Sequence, residues 1–392
     1  RAADDCESLA ALLEKHLREA LHPRRLAVYF RTVGDQLELA AGEAPEVLRA
    51  LGQKLPVLEA LAAAGRPVEV PPEKGQQPWA ALEALESECL VPLLDRGDRL
   101  TGLLALGPRL SEESYSGEDK RLLAAVALQA GLALENILLA ETMAARIEAE
   151  RRAEHEMEIA RQVQSQLLPQ RRPQLNTLEY AGRCLQARAV GGDYFDYLDS
   201  QPGRLGLVLA DVSGKGISAA LLMANLQANL RSQYAVAAGH LEPLLRSVNR
   251  LFFESTAPRH YATLFLGEYD DASRRLRYGN CGHNPPLILR AGGEVQTLEV
   301  TAAAVGLLAQ WDCGVEEVQL HSGDLLVMYS DGVTEAMSDD GEEFGEERLL
   351  EAVRGYRERP ASELLEGVVD RVQVWSGVEQ EDDLTLVVAR VL

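Results

Sequence analysis

The spacing of apolar and polar residues divides the chain into three parts, of which the first is residues 1–140. CESLAALLEKHLREAL has apolar residues at helical intervals, whereas LAVYF and DQLELA (35–40) are typical of strands. CLVPLL and LTGLLAL flank the polar turn DRGDR and predict a hairpin. Ser116 is a suitable N-cap for a helix beginning in SGEDKRLL. The first part is therefore predicted to be a mixed α and β domain.

The second part, residues 141–168, is predicted to be a helical linker, because no Gly or Pro occurs from Ala140 until Pro169. Two stripes at heptad spacing run along this helix, and both are interrupted by polar residues. The first comprises Leu132, Leu139, Arg146, Ala153, Ala160 and Leu167; the second comprises Asn136, Met143, Glu150, Met157 and Gln164. The pattern is compatible with a coiled-coil homodimer or with a single charged helix lying on its own domain.

The third part, residues 169–392, contains short strand-like runs interspersed with helices at 217–236 and about 346–356. The runs are LEYAGRC, GGDYFDYL, RLGLVLADV, ATLFLGEYD, RLRYGNCG, PPLILR, DLLVMYSDG and DLTLVVARVL. Antiparallel strands broken by helices favour a layered α+β domain over a doubly wound parallel sheet.

Composition excludes several classes of protein. The formal net charge of −22 opposes binding to nucleic acid or anionic membranes. The five cysteines form no CxxC pair, as expected of a reducing compartment, so a cytoplasmic protein is predicted. The apolar window 122–140 is interrupted by Gln129, Glu135 and Asn136, and we expect a packed helix there, not a membrane span.

Two aspartates are placed symmetrically in the predicted hairpin GGDYFDYLDSQPGRLGLVLADV. Asp193 and Asp211 are equidistant from Pro202, which lies in the turn. Residues symmetric about a regular hairpin turn face each other with Cβ atoms about 5 Å apart. Two carboxylates at that distance repel each other unless a cation lies between them. The spacing predicts a cation site, provided that no bulge changes the register.

Further aspartates lie at other strand ends. Asp331 follows the apolar run LLVMYS, and Asp382 and Asp383 precede LTLVV. Acidic oxygens gathered at one edge of the sheets would select a hard divalent ion such as Mg²⁺ or Mn²⁺. Each aspartate taken singly is equally compatible with a turn residue.

Six segments, in this order, resemble the PPM (PP2C-type) serine/threonine phosphatases of the bacterial SpoIIE/RsbU branch. They are EIARQVQSQLLPQ, GGDYFD, ADVSGKGISAALLMA, NCGHNPPLIL, YSDGVTEAM and EDDLTLVV. The N-terminal part resembles a GAF domain, chiefly through CLVPLLDRGDRLTGLLALG and SGEDKRLLAAVALQAGLALEN.

The resemblance implies an αββα sandwich at 169–392 with two Mn²⁺ or Mg²⁺ ions, preceded by a GAF-like sensory domain at 1–140 with an unknown ligand. Asp211 would bridge both ions, with the Val212 carbonyl beside it. Asp331 and Asp382 would complete one shell, Asp383 being able to exchange roles with Asp382, and Asp193 would bind directly or through water. The substrate would be a phosphorylated STAS-domain regulatory protein, and the GAF domain would regulate the enzyme, a homodimer through GAF domain and linker.

The same resemblance leaves some residues without an assigned role. No arginine matching the phosphate-binding arginine of the eukaryotic enzymes is evident near Asp193. Lys215 is expected to be a solvent-exposed turn residue, His283 and Asn280 structural turn residues, and Asp196 structural or supporting.

Three other functions fit only parts of the sequence. GGDYF differs by one residue from the GGDEF signature of diguanylate cyclases, but a cyclase needs an upstream strand where the charged helix 137–168 lies. SGKG lacks the spacing of a P-loop. A non-catalytic phosphatase-fold scaffold would be expected to have lost some of the acidic positions.

Overall fold

The structure is a computed structural model and describes residues 2–32, 36–52, 55–71, 75–237, 239–257, 259–377 and 380–392. The chain divides into two compact units, Arg1–Arg152 and Ala153–Leu392. Their boundary falls inside the predicted linker 141–168. Asp35, the first residue of the predicted strand 35–40, lies outside the described residues.

The N-terminal unit is built on one antiparallel sheet of six strands. Its elements are α1 (Ala2–Leu21), β1 (Leu26–Arg31), β2 (Gln36–Gly42), β3 (Ala50–Gly52), α2 (Pro56–Ala64), β4 (Val68–Glu69), a 3₁₀ helix (Trp79–Leu85), β5 (Cys89–Leu94), β6 (Leu100–Leu106) and the first part of α3 (Gly117–Leu167). The strand order is β3-β2-β1-β6-β5-β4, and β5 and β6 form the predicted hairpin. Helices α1 and α3 cover one face of the sheet, while α2 and the 3₁₀ helix cover the other.

Helix α3 begins with the predicted cap. The Ser116 hydroxyl accepts a hydrogen bond from the Asp119 N–H, and the Asp119 carboxylate accepts one from the Ser116 N–H, a reciprocal capping box. By length and composition one window of this helix could cross a membrane, and 28% of that window is buried. Leu123, Ala127 and Leu134 of this helix are buried in the core of the N-terminal unit, so one face of it packs there, whereas Leu122, Leu128 and Leu139 are exposed.

The C-terminal unit has two antiparallel sheets between two pairs of helices. Its elements after α3 are β7 (Leu178–Leu185), β8 (Tyr194–Gln201), β9 (Arg204–Val212), α4 (Ile217–Ala237), α5 (Leu241–Ser255), β10 (Ala262–Asp270), β11 (Arg275–Cys281), β12 (Leu287–Leu289), β13 (Val295–Thr297), β14 (Glu316–Gln319), β15 (Leu325–Tyr329), α6 (Asp331–Thr334), α7 (Gly345–Gly355), α8 (Ala361–Ser376) and β16 (Leu384–Val391). The sheet orders are β14-β11-β10-β9-β8 and β13-β12-β15-β16-β7. One core lies between the sheets, and two more lie under α4 and α5 and under α7 and α8. The α+β prediction of an αββα sandwich is confirmed.

Both faces of the central strands are buried, which explains their long apolar runs. In β9, Leu207 and Leu209 point into the core between the sheets, whereas Val208 and Ala210 point towards α4 and α5. In a strand successive side chains alternate between the two faces, so a strand covered on both sides is apolar throughout. The only polar residue between Leu205 and Val212 is Asp211, at the end of the strand.

The helix prediction for this unit was incomplete. Helices at 217–236 and near 346–356 are present, but α5 and α8 were not predicted. In α5, Leu241, Leu244, Leu245, Val248 and Phe252 are buried at helical spacing, and Pro243 is tolerated because it lies in the first turn. For α8, the proline at 360, directly before the helix, could have indicated where it begins.

Candidate metal centre

The acidic residues meet where strand ends of the two sheets lie together. Asp193 directly precedes β8 and Asp211 is the penultimate residue of β9. The β8–β9 register pairs Tyr194 with Ala210, and the same register continued by one residue places Asp193 opposite Asp211. A register shift occurs only nearer the turn, after Leu198. The prediction that Asp193 and Asp211 face each other is therefore confirmed at the end of the hairpin away from the turn.

The second sheet contributes the other aspartates. Asp331 follows β15 as the first residue of α6, and Asp382 and Asp383 precede β16. Strands β15 and β16 are antiparallel neighbours, so the end of one lies beside the start of the other. The two sheets are joined here by the Thr385 hydroxyl, which donates a hydrogen bond of 2.5 Å to the Asp193 carboxylate.

Asp193 and Asp211 lie in an environment unfavourable to negative charge. Asp193 is 2% exposed, and burial, followed by repulsion from Asp211, raises its pKa well above the ordinary value. Burial, followed by repulsion from Asp331 and Asp382, raises the pKa of Asp211 to about 7. Burial and Asp382 likewise raise the pKa of Asp331. Such shifts are typical of carboxylates whose compensating cation is not a protein side chain.

Asp382 and Asp383 are adjacent in sequence but have different partners. Asp382 is half exposed and forms an ion pair of 2.9 Å with the Lys215 ammonium. Asp383 is buried, and its carboxylate accepts hydrogen bonds from the N–H groups of Ala187 and Gly192, both at 2.9 Å. Lys215, expected to be a solvent-exposed turn residue, is exposed as expected and in addition forms this ion pair with Asp382.

The diglycine before Asp193 is required by close packing. A Cβ on Gly191 would lie 1.7 Å from Oδ2 of Asp383, and one on Gly192 would lie 2.7 Å from the Val212 carbonyl oxygen. Gly332, after Asp331, would place a Cβ 2.1 Å from the Asp383 backbone oxygen. Real Cβ atoms do not approach so closely, so glycine at these positions allows the strand ends to converge.

Sequence reasoning missed two residues near the acids. Gln164, near the end of α3, donates a hydrogen bond to the Gly191 carbonyl (2.7 Å) and accepts one from the Gly191 N–H (3.1 Å). Arg188 lines the small cleft above the acids together with Lys215. Gln164 had been noted only as a polar interruption of a heptad stripe. Arg188 lies five residues before Asp193, but nothing in the local pattern distinguishes it from other surface arginines.

The donor chemistry fits a hard divalent cation. The groups available are carboxylate oxygens and the Val212 carbonyl, which Mg²⁺ and Mn²⁺ prefer over nitrogen or sulfur ligands. Within the described part of the chain, no three Asp, Glu, His or Cys side chains already converge at ligand distances. Asp382 is turned to Lys215 and Asp193 to Thr385, so rotation of these side chains would complete a ligand set.

The remaining candidates make contacts with other residues of the same unit. Burial lowers the pKa of His283 to about 4, and its Nδ1 lies 2.8 Å from the Thr263 hydroxyl. The Asn280 carboxamide accepts a hydrogen bond from the His283 N–H and donates one to the Leu298 carbonyl. Asp196 is fully buried against the Arg231 guanidinium, at 2.7 and 3.0 Å.

Comparison with known proteins agrees with this architecture. Residues 201–392 match the family described as "Stage II sporulation protein E (SpoIIE)", and residues 7–136 match the GAF domain. The solved SiaA-PP2C domain of Pseudomonas aeruginosa superposes with a TM-score of 0.56 at 23% identity, covering 62% of this chain and 98% of that one. The C-terminal unit thus has the fold of the PP2C-type phosphatases. The chain thus combines a C-terminal domain that matches the SpoIIE family with an N-terminal domain that matches the GAF domain.

Two curated relatives extend the comparison. Protein IcfG of Synechocystis sp. is 31% identical over 228 residues, covering 50% of this chain and 35% of IcfG. Phosphoserine phosphatase RsbU of Bacillus subtilis is 27% identical over 237 residues, covering 60% of this chain and 70% of RsbU. The chain thus spans about a third of one relative and about two thirds of the other.

Proposed function

We propose that this chain is a metal-dependent protein phosphatase that hydrolyses phosphoserine or phosphothreonine on a regulatory protein. The observation that carries the proposal is that Asp193 and Asp211 of one sheet and Asp331 and Asp382 of the other lie at adjoining strand ends, where burial and mutual repulsion oppose negative charge. A protein retains such mutual repulsion at a strand edge when an external cation relieves it in the working state.

In the proposed site, two Mn²⁺ or Mg²⁺ ions are held by oxygen ligands from both sheets. Asp211 would hold the ions from the first sheet, together with the Val212 carbonyl. Asp331 and Asp382 contribute from the second sheet, and Asp193 binds directly or through water. We assign Asp383 a positioning role, because its carboxylate is already engaged by the Ala187 and Gly192 N–H groups.

The reaction is direct transfer of the phosphoryl group to water. When bound, the ions would supply an activated water and neutralise charge on the phosphoryl oxygens. The protein orients the phosphate: Arg188 and Lys215 are the basic side chains lining the cleft, and their charges attract the dianion to the acidic edge. The water oxygen bonds to phosphorus as the bond from phosphorus to the serine or threonine oxygen breaks, the proton lost by the water passes through solvent to that leaving oxygen, and no covalent phospho-enzyme forms.

Hydrolysis of p-nitrophenyl phosphate with Mn²⁺ or Mg²⁺ tests the proposal. We expect metal-dependent activity in the intact chain, its loss in Asp211→Asn, and no change in the matched control Asp370→Asn, which removes an exposed carboxylate from α8. Asp382→Asn should raise the metal concentration needed for half-maximal activity. Asp383→Asn should act chiefly by lowering stability.

A folded chain that binds Mn²⁺ but hydrolyses neither this ester nor a phosphoserine protein, with or without residues 1–149, would overturn the proposal. Binding of the phosphoprotein without turnover would instead identify a scaffold.

The proposed substrate is a phosphorylated STAS-domain regulatory protein in the cytoplasm. It rests on the resemblance to the SpoIIE/RsbU branch and on the name of the relative RsbU, a phosphoserine phosphatase. Phosphate release from a panel of phosphorylated STAS proteins, compared with unrelated phosphoproteins, would test this preference.

Regulation by the GAF domain is proposed to act through α3. The Gln164 side chain holds both backbone groups of Gly191, two residues before Asp193, so a shift at the end of this helix would displace the acidic edge. If residues 150–392 had the same activity as the full chain under all conditions, this coupling would be wrong.

A homodimer through the linker helix is part of the same proposal. Leu139, Met143 and Ile147 follow one another at four-residue intervals and are each about half exposed or more, an arrangement that suits a helix–helix interface. Sedimentation of Met143→Lys against Glu148→Lys, which changes a polar position, would test it. We expect only the former to dissociate.

A further inference from the structure

A buried histidine lies beside the acidic edge of the first sheet. His283 follows β11 and is 3% exposed. Its Nδ1 atom lies 2.8 Å from the Thr263 hydroxyl oxygen. Its backbone is held as well, because the His283 N–H donates a hydrogen bond of 2.9 Å to the Asn280 carboxamide oxygen. The ring is therefore fixed in position both by its own contact and by the turn that carries it.

The hydroxyl that this ring contacts belongs to the strand beside Asp211. In the β9–β10 register, Thr263 lies directly opposite Asp211. Directly opposed residues of antiparallel strands have their side chains on the same face, with Cβ atoms about 5 Å apart. Leu209 and Phe265, each two residues away along its strand, point into the core between the sheets, so Thr263 and Asp211 face that layer too. The Thr263 side chain thus lies between the histidine and a proposed metal ligand.

The ring also lies near the second sheet. Burial lowers the pKa of His283 to about 4, and the Tyr329 carbonyl opposes this lowering, so the carbonyl lies close to the ring. Tyr329 ends β15, two residues before Asp331. The ring is neutral at pH 7 and adds no charge to the acidic edge, so its influence there is through hydrogen bonding.

His283 is held through one nitrogen. Its Nε2 atom is buried and makes no hydrogen bond of normal length and angle within the described part of the chain. Buried polar atoms are nearly always paired, so a histidine that only supported a turn would be expected to use both nitrogens. The hydrogen bond that the ring does make is the one to Thr263.

We propose that His283 is a positioning residue of the metal centre, acting on the Asp211 carboxylate through the Thr263 hydroxyl. A hydroxyl both donates and accepts hydrogen bonds. The contact with Nδ1 fixes one side of the Thr263 hydroxyl, and the other side holds the Asp211 carboxylate in the direction from which it binds a cation. This inference rests on the metal site proposed above and adds two residues to it.

Titration of the full chain with Mn²⁺, followed by calorimetry, tests the proposal together with urea denaturation in the absence of metal. His283→Leu removes Nδ1 and keeps apolar bulk, whereas Thr263→Val removes the hydroxyl and keeps the shape. Each should weaken Mn²⁺ binding about tenfold. The double variant should bind no more weakly than either single one, because both remove the same contact. His283→Asn, whose carboxamide lies about where Nδ1 does, should bind Mn²⁺ more tightly than His283→Leu.

The matched control is Thr177→Val, which removes a hydroxyl bound to Asp271 at the opposite end of β10. It should lower stability in urea and leave Mn²⁺ affinity unchanged. Equal weakening of Mn²⁺ binding by Thr177→Val would mean a general loosening of the fold and would overturn the inference.

Two further outcomes separate this inference from the proposed function. If His283→Leu and Thr263→Val lose stability but bind Mn²⁺ as the unmodified chain does, the histidine only supports the fold, and this inference alone is overturned. If the unmodified chain binds no Mn²⁺, the proposed function is overturned and this inference with it.

Discussion

Two buried aspartates lie at the start of β8, and they differ in how their negative charge is compensated. Asp196 is fully buried but is held by the Arg231 guanidinium through two hydrogen bonds and by the Tyr194 hydroxyl at 2.5 Å. Asp193, three residues earlier and 2% exposed, is held by the Thr385 hydroxyl and faces Asp211. Equal burial therefore accompanies very different charge compensation.

This difference separates a structural carboxylate from one reserved for chemistry. A buried carboxylate with a paired guanidinium is stable as an ion, because the protein itself supplies the opposite charge. A buried carboxylate facing a second carboxylate has no such compensation, so the folded protein is strained until a cation or a proton arrives. Burial alone does not distinguish the two; the identity of the neighbour does.

The largest effect expected from this comparison is on activity at Asp193. Asp193→Asn should lower metal-dependent phosphatase activity about a thousandfold, equivalent to about 4 kcal/mol of activation free energy, because a ligand oxygen loses its charge. Stability in urea without metal should be unchanged or higher, since repulsion with Asp211 is removed. A loss of stability comparable to the loss of activity would show that Asp193 resembles Asp196 after all.

The opposite pattern is expected at Arg231. Arg231→Met leaves Asp196 as an uncompensated buried charge and should lower the free energy of unfolding by about 3 kcal/mol. Activity per folded molecule should change little. Urea denaturation and a Mn²⁺-dependent assay on the same preparation measure both quantities, and selective loss of activity with normal stability would contradict the structural assignment.

A smaller effect is expected from filling the space beside Asp383. Gly191→Ala forces a Cβ into the Asp383 carboxylate and should cost about 2 kcal/mol of stability together with part of the activity. Gly355→Ala is the matched control, because no atom lies within 4 Å of its added Cβ. Equal behaviour of the two variants in thermal unfolding would mean that the loop before Asp193 adapts freely.

The smallest effect concerns a second compensated carboxylate, Asp324. Burial alone would raise its pKa, but hydrogen bonds from the His321 N–H and the Arg290 guanidinium outweigh burial and lower it. Because the folded-state pKa is depressed, the stabilisation is present above the unfolded value of about 3.9 and is lost as pH falls through the folded value. Asp324→Asn should therefore lower stability by about 1–2 kcal/mol at pH 7.

Urea midpoints measured from pH 7 downwards would show this difference. The gap between Asp324→Asn and the unmodified chain should narrow in acid. A gap that stays constant with pH would mean that the Asp324 charge contributes nothing.

The sequence predicted those features that depend on local pattern. The equal spacing of Asp193 and Asp211 about Pro202 correctly predicted that they face each other. The turn itself pairs Gln201 with Arg204, and a register shift lies between that pair and Leu198, so the hairpin is not regular throughout. The Ser116 cap and the uninterrupted helix to Leu167 followed from equally local signals. The fold class followed from the motif order.

Contacts across the two sheets were not predictable in this way. Three contacts join residues far apart in sequence. They are the Thr385–Asp193 hydrogen bond, the Lys215–Asp382 ion pair and the hydrogen bond from Gln164 to Gly191. The hydrophobic pattern of a sequence does not show how two sheets stack or which rotamer a lysine adopts. The different roles of Asp382 and Asp383 could not be predicted either. Both are acidic residues at the start of one strand, and only their partners in the folded chain distinguish them.

The position of the last strand has a consequence for biosynthesis. Strand β16 lies between β15 and β7, and it is the neighbour to which β7 is hydrogen-bonded. The first strand of the phosphatase domain to leave a ribosome therefore waits for a partner made about 200 residues later, and pairing over such distances is slow. A chain that lacks the residues from Leu384 onwards leaves β7 and β15 without their common neighbour, and it exposes two open strand edges that a chaperone would have to protect.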